Sequence, residues 1–143
     1  MLRFNIRVYG LLIQNEKVLI TDELIGGKKI TKFPGGGLEY GEGTVACLKR
    51  EFIEELNLEI EIINHFYTTD FFVPSVFDDS QIISIYYQVK KRTHEEIKTS
   101  LESNTIQGFR WIELRKINPN NFTFPIDKKV AELLLNKRLH KLE

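Results

Sequence analysis

An α/β (α+β) architecture, with a central mixed β-sheet covered by helices, is predicted for this 143-residue chain by three observations. Runs of apolar and β-branched residues outnumber helical stretches. Only two segments carry helical spacing, and they lie far apart in sequence. Along the chain, strands and helices alternate. Such a pattern buries one sheet beneath helices.

Taken in order, residues 3–13 (RFNIRVYGLLI) and 17–22 (KVLITD) read as two strands joined at Gln14-Asn15-Glu16, a hairpin signal. Residues 25–32 (IGGKKITK) read as a loop and Thr31–Pro34 as a short strand. Gly35-Gly36-Gly37 then frees the backbone for unusual φ/ψ. A helix is expected over 43–56, with Val45, Leu48, Phe52 and Leu56 facing the core. Strand character returns at 58–67, is strong at 81–90 (QIISIYYQVK), and returns again at 106–114 (IQGFRWIEL). Residues 126–140 close the chain as a helix with Val130, Leu133, Leu134 and the stem of Lys137 inward.

The chain length suits one domain spanning 1–143. Twenty basic and twenty acidic residues cancel, so no global field draws in nucleic acid or an anionic membrane. Charge-based chemistry must therefore be local. The single cysteine, Cys47, allows no intrachain disulfide, and the start of the chain lacks the apolar run of a signal peptide. The expectation is a cytoplasmic protein without a membrane span.

The local charge is concentrated in FPGGGLEYGEGTVACLKREFIEEL, residues 33–56. Residues three and four apart on a helix are neighbours, so Glu51 faces both Glu54 and Glu55 at a cost of a few tenths of a kcal/mol per pair. Arg50 can pair with Glu54 one turn on, which relieves only part of the repulsion. The remaining oxygen-rich patch suits a hard divalent cation such as Mg2+, with water and phosphate completing its shell. The preceding glycines can add backbone groups to the same site. Taken alone, the helix also fits an ordinary solvated charged face.

The combination of loop and helix resembles the Nudix box of the Nudix hydrolase superfamily. Gly36 is followed five residues on by Glu42, and seven further residues lead to Arg50-Glu51-Phe52-Ile53-Glu54-Glu55-Leu56-Asn57-Leu58. Every position of the pattern is met except the last glycine, here Asn57. That residue ends a helix in the left-handed region, which asparagine tolerates best among non-glycine residues. The resemblance implies an α/β/α sandwich with a central mixed sheet and metal-dependent hydrolysis of a nucleoside diphosphate linked to another group. It implies Glu51 and Glu55 as ligands of Mg2+ (or Mn2+), Glu54 as a further ligand or base, and Arg50 as the group orienting Glu51. By the same resemblance Gly36 turns its carbonyl to the metal, while Glu42 and Gly37 support the loop. Proteins of this kind are commonly homodimers.

The substrate is less legible. Phe66, Tyr67, Phe71, Phe72 and Phe77 offer stacking surface for a nucleobase, although core packing accounts for most such residues. Pro74, 16 residues beyond Leu58, resembles a mark of family members acting on ADP-ribose. Phe71, Phe72 and Pro74 are therefore the candidate substrate contacts. Asp78 and Asp79 read as a solvated loop, and His65, His94 and His140 show no ligand spacing. Cys47 reads as a small packing residue. A nucleoside triphosphate, ADP-ribose or a nucleotide sugar is expected as substrate. The competing reading is a Nudix-fold module that binds or senses a nucleotide without cleaving it, against which stands the intact carboxylate set.

Overall fold

The computed structural model describes residues 3–94, 96–97 and 106–141, the last stretch with side chains from 108 to 137. Its strands are β1 (Arg3–Gln14), β2 (Lys17–Ile25), β3 (Lys28–Lys32), β4 (Gly35–Gly37), β5 (Ile60–Thr68), β6 (Ser80–Lys91) and β7 (Ile106–Glu113). Helix α1 spans Thr44–Leu56 and α2 spans Pro125–Lys141, with short 3-10 turns at Leu114–Lys116 and Pro119–Asn121. Among the described residues no helix is long and apolar enough to cross a membrane.

The sheet is mixed because β1 and β6 run parallel, while every other pairing is antiparallel. Its order is β3-β2-β1-β6-β5, with β4 against β1 and β7 against β2. Alternation along β1 sends Tyr9 and Leu11 to one face and Val8 and Leu12 to the other. The first face is closed by Ile126, Val130, Ala131 and Leu134 of α2, the second by Cys47, Leu48, Phe52 and Leu56 of α1. The result is the expected three-layer sandwich, with one core on each side of the sheet.

Three local expectations change. Residues 25–32 are not a loop: β2 runs on to Ile25 and pairs with β3 across a two-residue turn. Gly26 and Gly27 take φ of 57° and 79°, the positive pair that a tight hairpin turn requires. The glycines at 35–37 use their freedom as expected, Gly35 taking φ of 146°, and they do so within a strand that sets Val8 opposite Gly36. Val45 lies on the helical stripe but in the first turn of α1, where it is 38% exposed. Helical period sets the direction of a side chain, while the extent of the sheet beneath decides whether it is covered. Lys137 is exposed, with its ammonium 5.5 Å from the Phe66 ring centre. Asn57 stops α1 at φ 50°, its N–H bonding Ile53 O while Leu58 N–H bonds Phe52 O.

Candidate active site

The site begins where β4 meets the outer end of α1. Gly36 lies so close to this helix that a Cβ there would stand 2.6 Å from the Glu51 carboxyl. The absence of a side chain is what lets Glu51 lie across the strand. Arg50 ties loop and helix together. Its Nε and Nη2 donate to the two oxygens of Glu42 at 3.0 and 2.7 Å, a bidentate pair. Its Nη2 also donates to Gly37 O at 3.2 Å, and Nη1 donates to Glu51 at 3.0 Å and Glu54 at 3.2 Å. Those bonds hold the Glu42 carboxyl down at about 2, and the Arg50 guanidinium stays charged.

Glu55 has the opposite surroundings. Burial is the main force pushing its carboxyl up to about 8, with Glu23 and Glu51 adding to it and Lys32 opposing. Its Oε2 is buried without a hydrogen-bond partner among the described residues. An oxygen in that condition costs on the order of 1–3 kcal/mol unless something compensates it. A divalent cation between Glu51 and Glu55 would do so, and hard oxygen donors fit Mg2+ or Mn2+. Glu54 is 57% exposed and shares Arg50 Nη1 with Glu51. No group of three or more His, Cys, Asp or Glu side chains stands ready for a metal among the described residues. The donors brought together are Glu51, Glu55 and the glycine strand.

Behind this cluster a cavity of about 480 Å3 opens on the α2 face. Val73, Pro74, Val76, Phe77, Ile82 and Phe124 form its apolar walls. Phe77 and Phe124 meet edge to face, 6.2 Å between ring centres, and Phe77 is 63% exposed. Inside, the Tyr86 hydroxyl donates to Asp127 Oδ1 at 2.6 Å. Burial pushes the Asp127 carboxyl up to about 6, although that hydrogen bond pulls the other way. Arg7, Glu23 and Lys32 line the end of the cavity that faces the carboxylates. Lys32 Nζ donates to Phe33 O and Gly35 O at 3.0 and 3.3 Å and pairs with Glu23 at 3.3 Å. Burial works against this ammonium, but Glu55 and Glu23 outweigh it and raise its pKa.

Of the expected substrate contacts, Pro74 lines the cavity, whereas Phe71 and Phe72 do not; they are 41% and 70% exposed on the segment between β5 and β6. Aromatic density in that loop signalled a surface without telling which ring turns inward. Asp78 caps its own loop by accepting from Ser80 N–H at 2.8 Å. His65 bonds Thr68 at the surface, and the side chain of His140 lies outside the described residues. Burial and the nearby Glu42 push the Cys47 thiol up to about 12, as befits a packing residue. Arg7, Glu23, Lys32, Tyr86, Phe124 and Asp127 escaped the sequence reading. Alternation along β1 and β6 was the one signal that could have found Arg7 and Tyr86.

The description "NUDIX domain" fits residues 3–134. A curated relative, the 8-oxo-dGTP diphosphatase of Buchnera aphidicola subsp. Acyrthosiphon pisum, is 29% identical over 115 residues, or 80% of this chain and 83% of that protein. Among solved structures, a NUDIX hydrolase from Nitrosomonas europaea superposes with a TM-score of 0.76 at 17% identity, covering 91% of this chain and 87% of its own. The MutT protein of Methanosarcina mazei Go1 gives 0.75 at 18%, covering 95% and 96%. At such identities the two structures speak to the fold.

Proposed function

The chain belongs to the NUDIX domain family, and from that premise we propose that it is a divalent-metal-dependent pyrophosphohydrolase of a nucleoside diphosphate linked to a second group. The observation that supports this most is the unpartnered buried oxygen of Glu55, close to Glu51 and to Lys32 and Glu23, two residues that line a cavity of nucleoside size.

In this reading Glu51 and Glu55 hold Mg2+ or Mn2+ together with the Gly36 carbonyl, and Glu54 adds a ligand or takes the proton from water. Once bound, the cation neutralises phosphate charge and acidifies water. Glu55, to hold it, would give up the proton it otherwise keeps near neutral pH. Arg50 maintains the orientation of Glu51 and anchors Glu42, with the Gly37 carbonyl fixing its far end. The nucleoside enters between Phe77 and Phe124 and reaches Tyr86 and Asp127. Pro74 shapes the wall.

The relative's name brings oxidised purine nucleoside triphosphates into the candidate substrates. A phosphate-release screen with Mg2+ over nucleoside triphosphates including 8-oxo-dGTP, ADP-ribose, nucleotide sugars and dinucleoside polyphosphates tests the reading. Turnover of one class, abolished by chelation, is the expected result. Silence across the whole panel favours the nucleotide-binding module instead.

A further inference from the structure

Three cations stand around the carboxylates, and two of them are fully engaged. Arg50 uses Nε, Nη1 and Nη2 on Glu42, Glu51, Glu54 and Gly37. Lys32 has three N–H groups and three partners, in Phe33 O, Gly35 O and Glu23. Arg7 differs. Its Nε donates to the Tyr9 hydroxyl at 2.6 Å, and its guanidinium lies 5.7 Å from the centre of that ring. Among the described residues it forms no ion pair, and its two terminal nitrogens donate to none of them.

The place of this side chain gives the free nitrogens meaning. On β1, Arg7 is opposite Gly37 of β4, where a Cβ would stand only 3.6 Å from Arg7 Nη1. The guanidinium thus lies beside the glycine strand that Glu51 crosses, and it also lines the cavity. Burial works against its charge, but Tyr9, with smaller contributions from Glu51 and Glu23, outweighs it and the pKa is raised. A half-buried guanidinium, held at Nε and open at both Nη atoms, is preorganised for two oxygens of one phosphate. The Tyr9 hydroxyl sets the plane of the fork and leaves its outer edge unused.

We infer that Arg7 binds the phosphate esterified to the nucleoside, at the junction between the carboxylates and the cavity. This rests on the reading that places the nucleoside in the cavity. A phosphate there has the Glu51–Glu55 pair on one side and the sugar on the other, so Arg7 determines which phosphorus faces the carboxylates. The roles of the cations then separate: Arg50 and Lys32 organise the protein, and Arg7 contacts substrate.

The test is calorimetric titration, with Mg2+ present, of adenosine, guanosine and their 5′-monophosphates into wild type, Arg7→Ala and Arg7→Lys. The wild type is expected to bind a monophosphate more tightly than its nucleoside. Arg7→Ala should weaken the monophosphate by about 10- to 100-fold, the range of a charge-assisted hydrogen-bonded pair, and leave the nucleoside unchanged. Arg7→Lys should fall between, since it keeps the charge without the fork. Added guanidinium should partly restore monophosphate binding to Arg7→Ala. Equal weakening of nucleoside and monophosphate would mean that Arg7 only supports the fold and would overturn the inference, as would a wild type blind to the phosphate. If the screen above finds no turnover but the monophosphate still depends on Arg7, hydrolysis fails as a reading and this contact survives.

Discussion

Each face of the sheet carries one buried carboxyl raised above its ordinary value, and the two are held in different ways. On the α2 face, Asp127 sits in the cavity with a hydroxyl donor from Tyr86, and burial brings it to about 6. In the last turn of α1, Glu55 has one oxygen without a partner among the described residues and reaches about 8, burial again being the main cause. A polar group that is buried and paired is stable as it stands, whereas one buried and unpaired implies something still to bind. The difference separates a carboxyl suited to reading a neutral substrate edge from one suited to a cation.

The sharpest way to break this contrast is to neutralise the unpaired member. Glu55→Gln should cut turnover by about a thousand-fold, the loss expected when a metal no longer offsets several kcal/mol of developing charge. Its metal-free melting temperature should rise above that of the wild type near neutral pH, because the folded wild type must take up a proton at Glu55 that its unfolded chain has released, a cost glutamine does not carry. A variant that unfolds, or one that keeps full activity, would remove Glu55 from the metal site.

Gly36→Ala probes the same pole through the backbone. The added Cβ would meet the Glu51 carboxyl at 2.6 Å and displace it. Turnover should fall about 100-fold, since a misplacement of about 1 Å carries that cost. Monophosphate binding in the cavity should persist. Loss of both together would show that the two poles are not separable.

Asp127→Asn tests the paired member. The Tyr86 hydroxyl can still donate to an amide oxygen, so stability should hold, while KM rises about tenfold with little change in kcat. An unchanged KM for every base would exclude Asp127 from substrate contact.

Proton linkage gives the smallest effect and the most direct comparison. Both carboxyls bind a proton more tightly in the folded chain than their ordinary values of 4.5 for Glu55 and 3.8 for Asp127 would allow in the unfolded one. The folded state therefore holds protons that the unfolded state has released, and stability falls as pH rises. The Asp127 share should be lost between about 4 and 6, and the Glu55 share between about 4.5 and 8. Melting curves across pH 4–9 should show the upper part of that slope vanish with saturating Mg2+ or in Glu55→Gln. Persistence of the upper slope in Glu55→Gln would assign it to another group.

Much of the α1 pole was legible because its chemistry is local. Glu51, Glu54 and Glu55 fall within one turn and a half of a helix, and the offsets to Gly36, Glu42 and Arg50 can be counted along the chain. There, spacing anticipated the pair of Arg50 with Glu54, but it did not show that Glu55 would be buried. The hairpin at Gly26-Gly27 was missed for a simpler reason: a strand of five residues exists only because β2 lies beside it.

By itself, then, the sequence determined the mixed sheet covered by two helices, the carboxylate helix with its glycine loop and the family resemblance that implied the sandwich, since periodicity and fixed spacing are properties of the chain. Only the tertiary structure decided what surrounds them. Tyr86 and Asp127 are 41 residues apart, and Arg7 becomes a candidate phosphate contact only where β1 meets β4 and the cavity wall. Burial, partnership and the lack of a partner are relations between distant segments, and those relations separate the carboxylates of α1 from the cavity on the α2 face.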